Sequence, residues 1–208
     1  MIRKKKRSLQ KAFSEEGKTL GIEVVGGEAY TTNTTDFGPQ ITKLLMQKPD
    51  TIFLCGFYQE GALIARQARA QGFNGPLFGA DGIDNTEYIQ IGGKAANNTY
   101  LTVPFLAEAA GPEAAVFIEK FKARTGRDLD WMSANAYDCV GILAEVISKV
   151  GPDRKKIRDG LAAMNSPETA YKGITGVTYF NNIGDCQKRA YVKMVKDGKY
   201  APAKQLNE

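Results

Sequence analysis

The sequence of 208 residues contains no histidine, and this absence removes several classes of chemistry at once. Histidine-dependent triads, imidazole acid–base catalysis and histidine-ligated metal sites are all excluded. No GxSxG nucleophile elbow, GxxxxGK[ST] phosphate loop or GxGxxG dinucleotide loop occurs either. Gly92, Gly93 and Lys94 follow a helix-like stretch and not a strand, so they do not predict a phosphate loop. We therefore expect no enzyme activity, no cofactor and no metal.

Cysteine is scarce, with three residues that are odd in number and far apart: Cys55, Cys139 and Cys186. No CxxC or other metal-ligand spacing occurs among them. Cys55 lies in an apolar strand-like segment and Cys139 on an apolar helical stripe, so we expect both thiols to be buried. A bridge between Cys139 and Cys186 remains an open alternative.

Long apolar runs are also lacking, since none reaches the length of a membrane span. The net charge of +5 comes from a basic cluster at residues 3–11, because the remaining 22 basic residues nearly balance 23 acidic ones. This distribution does not favour a nucleic-acid partner. We expect residues 1–7 to be a basic tail outside the fold, and not an export signal, because no apolar segment follows them.

Helical and strand-like segments alternate over the first half of the chain. The predicted helices cover 8–17, 36–45, 59–71 and 85–91, and the predicted strands cover 21–25, 51–55, 76–80 and 99–105. Alternation of this kind predicts an α/β fold with a parallel sheet. A doubly wound unit begins with a strand, but the charged residues 1–7 occupy that position and cannot form one. We therefore expect the chain to be a piece of a longer protein.

The second half changes character. Apolar stripes predict helices between residues 111 and 164, the last one capped by Asp153. Strands are predicted at 176–180 and 190–196, with turns at 181–185 and at Asp197-Gly198.

Two neighbouring predicted strands end in side chains suited to ligand binding. Phe57 and Tyr58 follow the strand at 51–55, and Asp81 follows the strand at 76–80. A single helix between two strands makes them parallel, so their ends share one edge, where ligands of α/β sheets bind. An ammonium could pair with Asp81 and an apolar tail could pack on the aromatic rings. The alternative, a simple Asp81-Gly82 turn beside aromatics that cover the core, remains open.

Several segments, in this order, resemble those of a known family. They are DTIFLCGFY at 50–58, ARQAR at 65–69, GADG at 79–82, NTY at 98–100, FKARTG at 121–126, AYD at 136–138, KIRDGL at 156–161 and GITG at 173–176. Together they resemble the branched-chain amino-acid binding proteins, the periplasmic receptors of ABC importers with the type I periplasmic binding fold. The resemblance covers about residues 8–200.

The resemblance implies a fold of two α/β lobes that trap a ligand as they close. Residues 8–103 would form the second, ligand-binding lobe, 104–172 a helical part of a truncated first lobe, and 173–208 the return crossing and C-terminal hairpin. Phe57 would lie beside the ligand and Asp81 would hold its ammonium. Trp131 and Met132 match a stretch where the first lobe often places an aromatic.

The function implied by the resemblance is that of a periplasmic, monomeric solute-binding component that delivers an amino acid to a membrane permease. Members that bind leucine carry glutamate where this chain has Asp81, so a related amino acid or an amide is implied as an alternative ligand. A second alternative is the ligand-sensing domain of a receptor or regulator, since that class uses the same fold.

Overall fold

The computed structural model describes residues 4–31 and 33–203 of the protein. Two compact units are present. Unit 1 comprises Met1–Thr102 and Val192–Glu208, and unit 2 comprises Val103–Tyr191.

The helices and strands follow one another along the chain with short 3₁₀ turns between some of them. The helices are α1 (Lys4–Thr19), α2 (Gly38–Leu45), α3 (Tyr58–Ala70), α4 (Thr86–Gly92), α5 (Pro112–Thr125), α6 (Trp131–Val150) and α7 (Arg154–Ala162). The strands are β1 (Ile52–Leu54), β2 (Leu77–Gly79), β3 (Thr99–Val103), β4 (Tyr171–Gly173), β5 (Gly176–Phe180), β6 (Cys186–Gln187), β7 (Tyr191–Lys196) and β8 (Lys199–Pro202).

The sheet of unit 1 has the strand order β1-β2-β3-β7-β8. The first three strands are parallel, with Ile52 opposite Leu77 and Leu77 opposite Thr99. Strands β7 and β8 form an antiparallel hairpin whose turn residues, Asp197 and Gly198, both have positive φ values of 52° and 72°. Two left-handed residues match the twist of a hairpin, so the predicted turn is confirmed.

The residues on the buried face of helix α3 are small: Gly61, Ala62, Ala65 and Ala68. Neighbouring side chains therefore approach the helix closely, as Ile83 and Tyr88 do at Gly61. Tyr88 of α4 is fully buried and its hydroxyl lies 2.9 Å from the hydroxyl of Thr99. Burial raises the pKa of Tyr88 to about 12, because the phenolate would lose its hydration.

Unit 2 contains helices α5, α6 and α7 and a three-stranded antiparallel sheet of β4, β5 and β6. Its core contains Ile142, Val146 and Met164. Asp153 caps α7 as predicted, since its carboxylate accepts the Lys156 N–H at 2.9 Å.

A buried carboxylate ties α6 to the segment between β4 and β5. Asp138 is 1% exposed and accepts the backbone N–H groups of Ile174 at 3.0 Å and Thr175 at 2.8 Å. The Thr175 hydroxyl also donates to Asp138 and accepts from the Lys188 ammonium. Lys188 further donates to the Asn135 side chain at 2.9 Å. This network satisfies both oxygens of a carboxylate that would otherwise be costly to bury.

Three local predictions were wrong. The strand predicted at 21–25 does not form, because residues 22–31 have no regular secondary structure and no strand pairs with them among the described residues. Helix α1 begins at Lys4, inside the predicted basic tail, since lysine and arginine are good helix formers. Residues 1–3 of that tail lie outside the described residues. The helix predicted at 36–45 begins only at Gly38, with Phe37 as its N-cap residue, although the Asp36 carboxylate accepts the Gly38 N–H at 2.9 Å.

The cysteines also differ from the prediction. Cys139 is exposed and not buried, because no described element covers its side of α6. Cys55 is half-buried, which raises the pKa of its thiol to about 11. All three thiols are free in this structure.

Candidate functional site

The loops that follow β1 and β2 form the candidate rim of unit 1. Phe57 is the N-cap residue of α3, and its carbonyl accepts the Gly61 N–H at 2.9 Å. Asp81 begins a 3₁₀ turn that runs to Ile83, with the Asp84 N–H donating to the Asp81 carbonyl at 3.1 Å. The backbone of each residue is therefore held by a helical turn that follows shortly after its strand.

The two loops touch each other. A Cβ added at Gly82 would lie 2.5 Å from the Gly56 carbonyl oxygen and 3.5 Å from the Phe57 ring. Only glycine allows the backbones to approach this closely. The structure thereby brings Phe57 and Asp81 together on one rim.

The residue Asp81 is half-buried, and within the described part of the chain its carboxylate forms no hydrogen bond or ion pair. Its neighbour Asp84 differs, because Asp84 is paired with Lys193 at 3.0 Å and only 6% of its side chain is exposed. The Asp84 carboxylate is thus occupied by its ion pair with Lys193. The Asp81 carboxylate can still accept hydrogen bonds from a ligand.

Tyr200 of β8 holds this loop from the far end of the chain. Its hydroxyl lies 3.0 Å from the Ile83 carbonyl and 2.9 Å from the Asn85 carbonyl, and it accepts the Asn85 N–H at 3.2 Å. Burial raises the pKa of Tyr200, which keeps the hydroxyl protonated as a donor.

Tyr58 is half-buried and opens α3 directly after Phe57. The negative charge of Glu87, and the hydrogen bond that the Tyr58 hydroxyl donates to the Glu87 carboxylate, raise the pKa of Tyr58. Its hydroxyl is therefore engaged by the first turn of α4, and the ring is the part that offers apolar surface.

Trp131 and Met132 lie in unit 2, as the first two residues of α6. Asp130 caps this helix by accepting the Ser133 N–H at 2.7 Å. Trp131 is half-buried, and its buried Nε1–H finds no acceptor in the described part of the chain. Met132 is 53% exposed.

Sequence reasoning missed the residues that position the rim. The sequence does not mark Asp84, Lys193 or Tyr200 as residues that position the rim. The local pattern carries no signal for these contacts, because Tyr200 lies 115 residues from Asn85 along the chain.

Two cavities of unit 1 lie elsewhere. One of about 550 Å³ is lined by residues of α3 and the Gly92–Ala95 segment, and one of about 500 Å³ adjoins β1 and residues 21–30. Neither is lined by Phe57 or Asp81. Neither of these two cavities therefore belongs to the candidate rim.

Across residues 4–31 and 33–203, no helix combines the length and apolar character that crossing a bilayer would require.

Comparison with known proteins gives one consistent answer. The sequence model of the family described as periplasmic binding protein matches residues 5–199. The Leu/Ile/Val-binding protein BraC3 of Rhizobium johnstonii is 30% identical over 187 residues, which is 89% of this chain and 49% of the relative. A leucine-, isoleucine-, valine-, threonine- and alanine-binding protein of Pseudomonas aeruginosa is 30% identical over 166 residues, which cover 79% of this chain and 43% of that relative.

Solved structures agree. The leucine binding protein LivK of Thermotoga maritima superposes with a TM-score of 0.86 and 31% identity, covering 93% of this chain and 55% of that one. LivJ of Streptococcus pneumoniae, in complex with isoleucine, gives a TM-score of 0.79 and 28% identity over 93% of this chain and 54% of that one. The chain spans about half the length of the curated relatives it matches. The predicted resemblance and the predicted α/β fold of the type I periplasmic binding proteins are confirmed, and the chain belongs to the periplasmic binding protein family.

Proposed function

We propose that this chain is part of the solute-binding component of an ABC importer and binds a branched-chain amino acid or a related one. The observation that carries the proposal is the half-buried residue Asp81, whose carboxylate has no partner in the described part of the chain and whose neighbour Gly82 lies against the Phe57 loop on the rim. The names of the relatives, which bind leucine, isoleucine and valine, support this ligand class.

The chemistry of the rim suits an amino acid. The α-ammonium group offers charged N–H donors, and a carboxylate accepts them in short, strong hydrogen bonds. The Phe57 ring, with the Tyr58 ring next to it in sequence, would cover an aliphatic side chain. Asp81 is shorter than glutamate, so the ligand's ammonium would have to approach the backbone of the rim closely.

Trp131 and Met132 are also proposed to contact the ligand. The buried Nε1–H of Trp131 has no acceptor in the described part of the chain, which suits a contact with a ligand oxygen. Residues 8–103 would then serve as the second lobe, 104–172 as helices of the first lobe, and 173–208 as the return crossing. A permease as partner, a monomeric state and a periplasmic location belong to the same proposal.

The proposal is tested by calorimetry and thermal melting of this chain with L-leucine, L-isoleucine, L-valine, L-alanine and L-glutamate. We expect the melting temperature to rise with the branched-chain amino acids, because ligand binding to the native state stabilises it by mass action. Asp81→Asn should weaken binding by about 2–5 kcal/mol, because it removes the charge that faces the ammonium.

Asp197→Asn is the matched control. Asp197 is an exposed acid in the β7–β8 turn, and asparagine tolerates its positive φ. We expect its affinity to equal that of the unchanged chain. Equal binding by the Asp81→Asn variant would refute the role of Asp81, and a melt that no amino acid shifts would refute the proposed function of this chain.

A further inference from the structure

We propose that Cys139 and Cys186 form a redox site in unit 2, which closes into a disulfide when a disulfide oxidant is present and opens when it is reduced. Cys139 lies on α6, and Cys186 is the first residue of β6. Both thiols are free and exposed, so an oxidant in solution can reach them. The site lies within unit 2 alone and does not depend on the ligand proposed above.

The strand partner of Cys186 shows which way its side chain projects. Cys186 lies directly opposite Phe180 of β5 in the antiparallel pair. Residues that are opposite each other in such a pair project from the same face of the sheet. Phe180 packs against the core cluster formed by Ile142 and Val146 of α6 together with Met164. The Cys186 side chain therefore projects from the face of the sheet that packs against this cluster.

A second contact fixes the position along α6. Lys188 lies just beyond β6, and its ammonium donates to the Asn135 side chain at 2.9 Å. Asn135 precedes Cys139 by four residues and Ile142 follows it by three, so each is a neighbour of Cys139 on the helix surface. Cys139 therefore lies between the residue that Lys188 contacts and the cluster that the strand partner of Cys186 contacts.

The electrostatics of the site agree with this placement. Burial raises the pKa of the Cys186 thiol, the positive charge of Lys188 lowers it, and a thiolate charge at Cys139 raises it. Burial lowers the pKa of the Lys188 ammonium, while negative charge at Asp138, Cys186 and Cys139 raises it. Each sulfur is therefore close enough to sense the charge of the other and of a shared cation.

Two thiols in this position have one reaction that needs no further protein ligand. Within residues 4–31 and 33–203, no three histidine, cysteine or acidic side chains are arranged to hold a metal ion. In the proposed reaction one thiolate attacks a sulfur of oxidised glutathione, breaks its S–S bond and releases one glutathione thiolate. The second protein thiolate then attacks the protein sulfur of this mixed disulfide and releases the other glutathione. Two protein thiols are oxidised, one disulfide is reduced, and the two protons end on the released glutathione thiols.

The test equilibrates the whole chain with mixtures of oxidised and reduced glutathione. Free thiols are then blocked with N-ethylmaleimide in denaturant, and the mass of the intact chain counts the blocking groups. We expect the oxidised chain to take up one group instead of three, because half-buried Cys55, with a pKa raised to about 11, reacts slowly. Tryptic digestion should yield a peptide that joins Cys139 to Cys186 and separates on reduction.

The decisive comparison is between the native chain and the chain unfolded in urea. A fold that holds two thiols together favours their bridge by the same factor by which the bridge favours the fold. We expect the equilibrium constant for bridge formation to be about thirtyfold or more larger in the native chain. In the oxidised chain, the urea midpoint of Trp131 fluorescence should accordingly rise by about 2 M.

Three variants serve as matched controls. Cys55→Ser keeps both thiols of the site and should form the bridge as the unchanged chain does. Cys139→Ser and Cys186→Ser each change an exposed residue, so both variants should fold. Each should form only a mixed disulfide with glutathione, and oxidation should not raise its urea midpoint.

Three results would overturn the proposal. They are equal bridge formation in the native and unfolded chains, a linked peptide that contains Cys55, and a disulfide-linked dimer on a non-reducing gel in place of the bridge within one chain. The first would show that folding does not bring the two thiols together.

Discussion

Asp138→Asn should destabilise unit 2 strongly, because this change replaces an acceptor that serves three donors. The carboxylate receives the backbone N–H groups of Ile174 and Thr175 and the Thr175 hydroxyl, and it is 1% exposed. Asparagine keeps one oxygen and places an NH₂ group against a buried donor. Losing one charged hydrogen bond and leaving one donor unsatisfied costs about 2–4 kcal/mol.

The assay follows from the composition of the chain. Trp131 is its single tryptophan and lies half-buried at the start of α6, so tryptophan fluorescence reports the unfolding of unit 2. With a slope of about 1 kcal/mol/M, as is typical of small units, the urea midpoint should fall by about 2 M or more. Asp128→Asn serves as the control. It removes an ion pair with Lys122 whose side chains are 65% and 86% exposed, and such pairs contribute little.

The reasoning fails if the midpoint of Asp138→Asn moves no further than that of Asp128→Asn. That result would mean that the donors around position 138 find other acceptors, and that the buried network is not what joins α6 to the β4–β5 segment.

Two further predictions concern unit 1. Tyr200→Phe removes the hydroxyl that contacts the Ile83 and Asn85 carbonyls, so unit 1 should lose about 1–3 kcal/mol and bind amino acids more weakly by calorimetry; unchanged affinity would show that the loop holds without this anchor. Stability should also fall as the pH rises from 10 towards 12. Burial raises the pKa of Tyr88 from 10.0 to about 12, so the unfolded chain releases this proton first. The contribution is complete below pH 10, amounts to about 3 kcal/mol at most, and should shrink in Tyr88→Phe when urea midpoints are measured by circular dichroism. If the urea midpoint of Tyr88→Phe falls equally between pH 10 and pH 12, other groups cause the pH dependence.

Local sequence patterns correctly predicted the elements that are determined by residues close together in the sequence. The cap at Asp153 and the left-handed turn at Asp197-Gly198 depend on residues within a few positions of each other. The parallel order of β1 and β2 followed from the single helix between them. These features were correct because no distant residue decides them.

The failed strand at 21–25 shows the limit of such patterns. Its residues have strand character, but a strand exists only when a neighbour supplies the backbone partners, and none of the described residues does so. The exposure of Cys139 has the same origin, since an apolar stripe on α6 is buried only if another element covers it.

For the candidate site, the sequence by itself placed Phe57, Tyr58 and Asp81 at the ends of neighbouring strands, because the chain order and the parallel crossover fix which loops share an edge. Only the tertiary structure decided which of the nearby groups remain available. Asp84 forms an ion pair with Lys193, and the Tyr58 hydroxyl interacts with Glu87. The Tyr200 hydroxyl donates to the Asn85 carbonyl, although the two residues are 115 positions apart in the sequence. Contacts between residues so far apart depend on how the strands pack, and no local spacing encodes that packing.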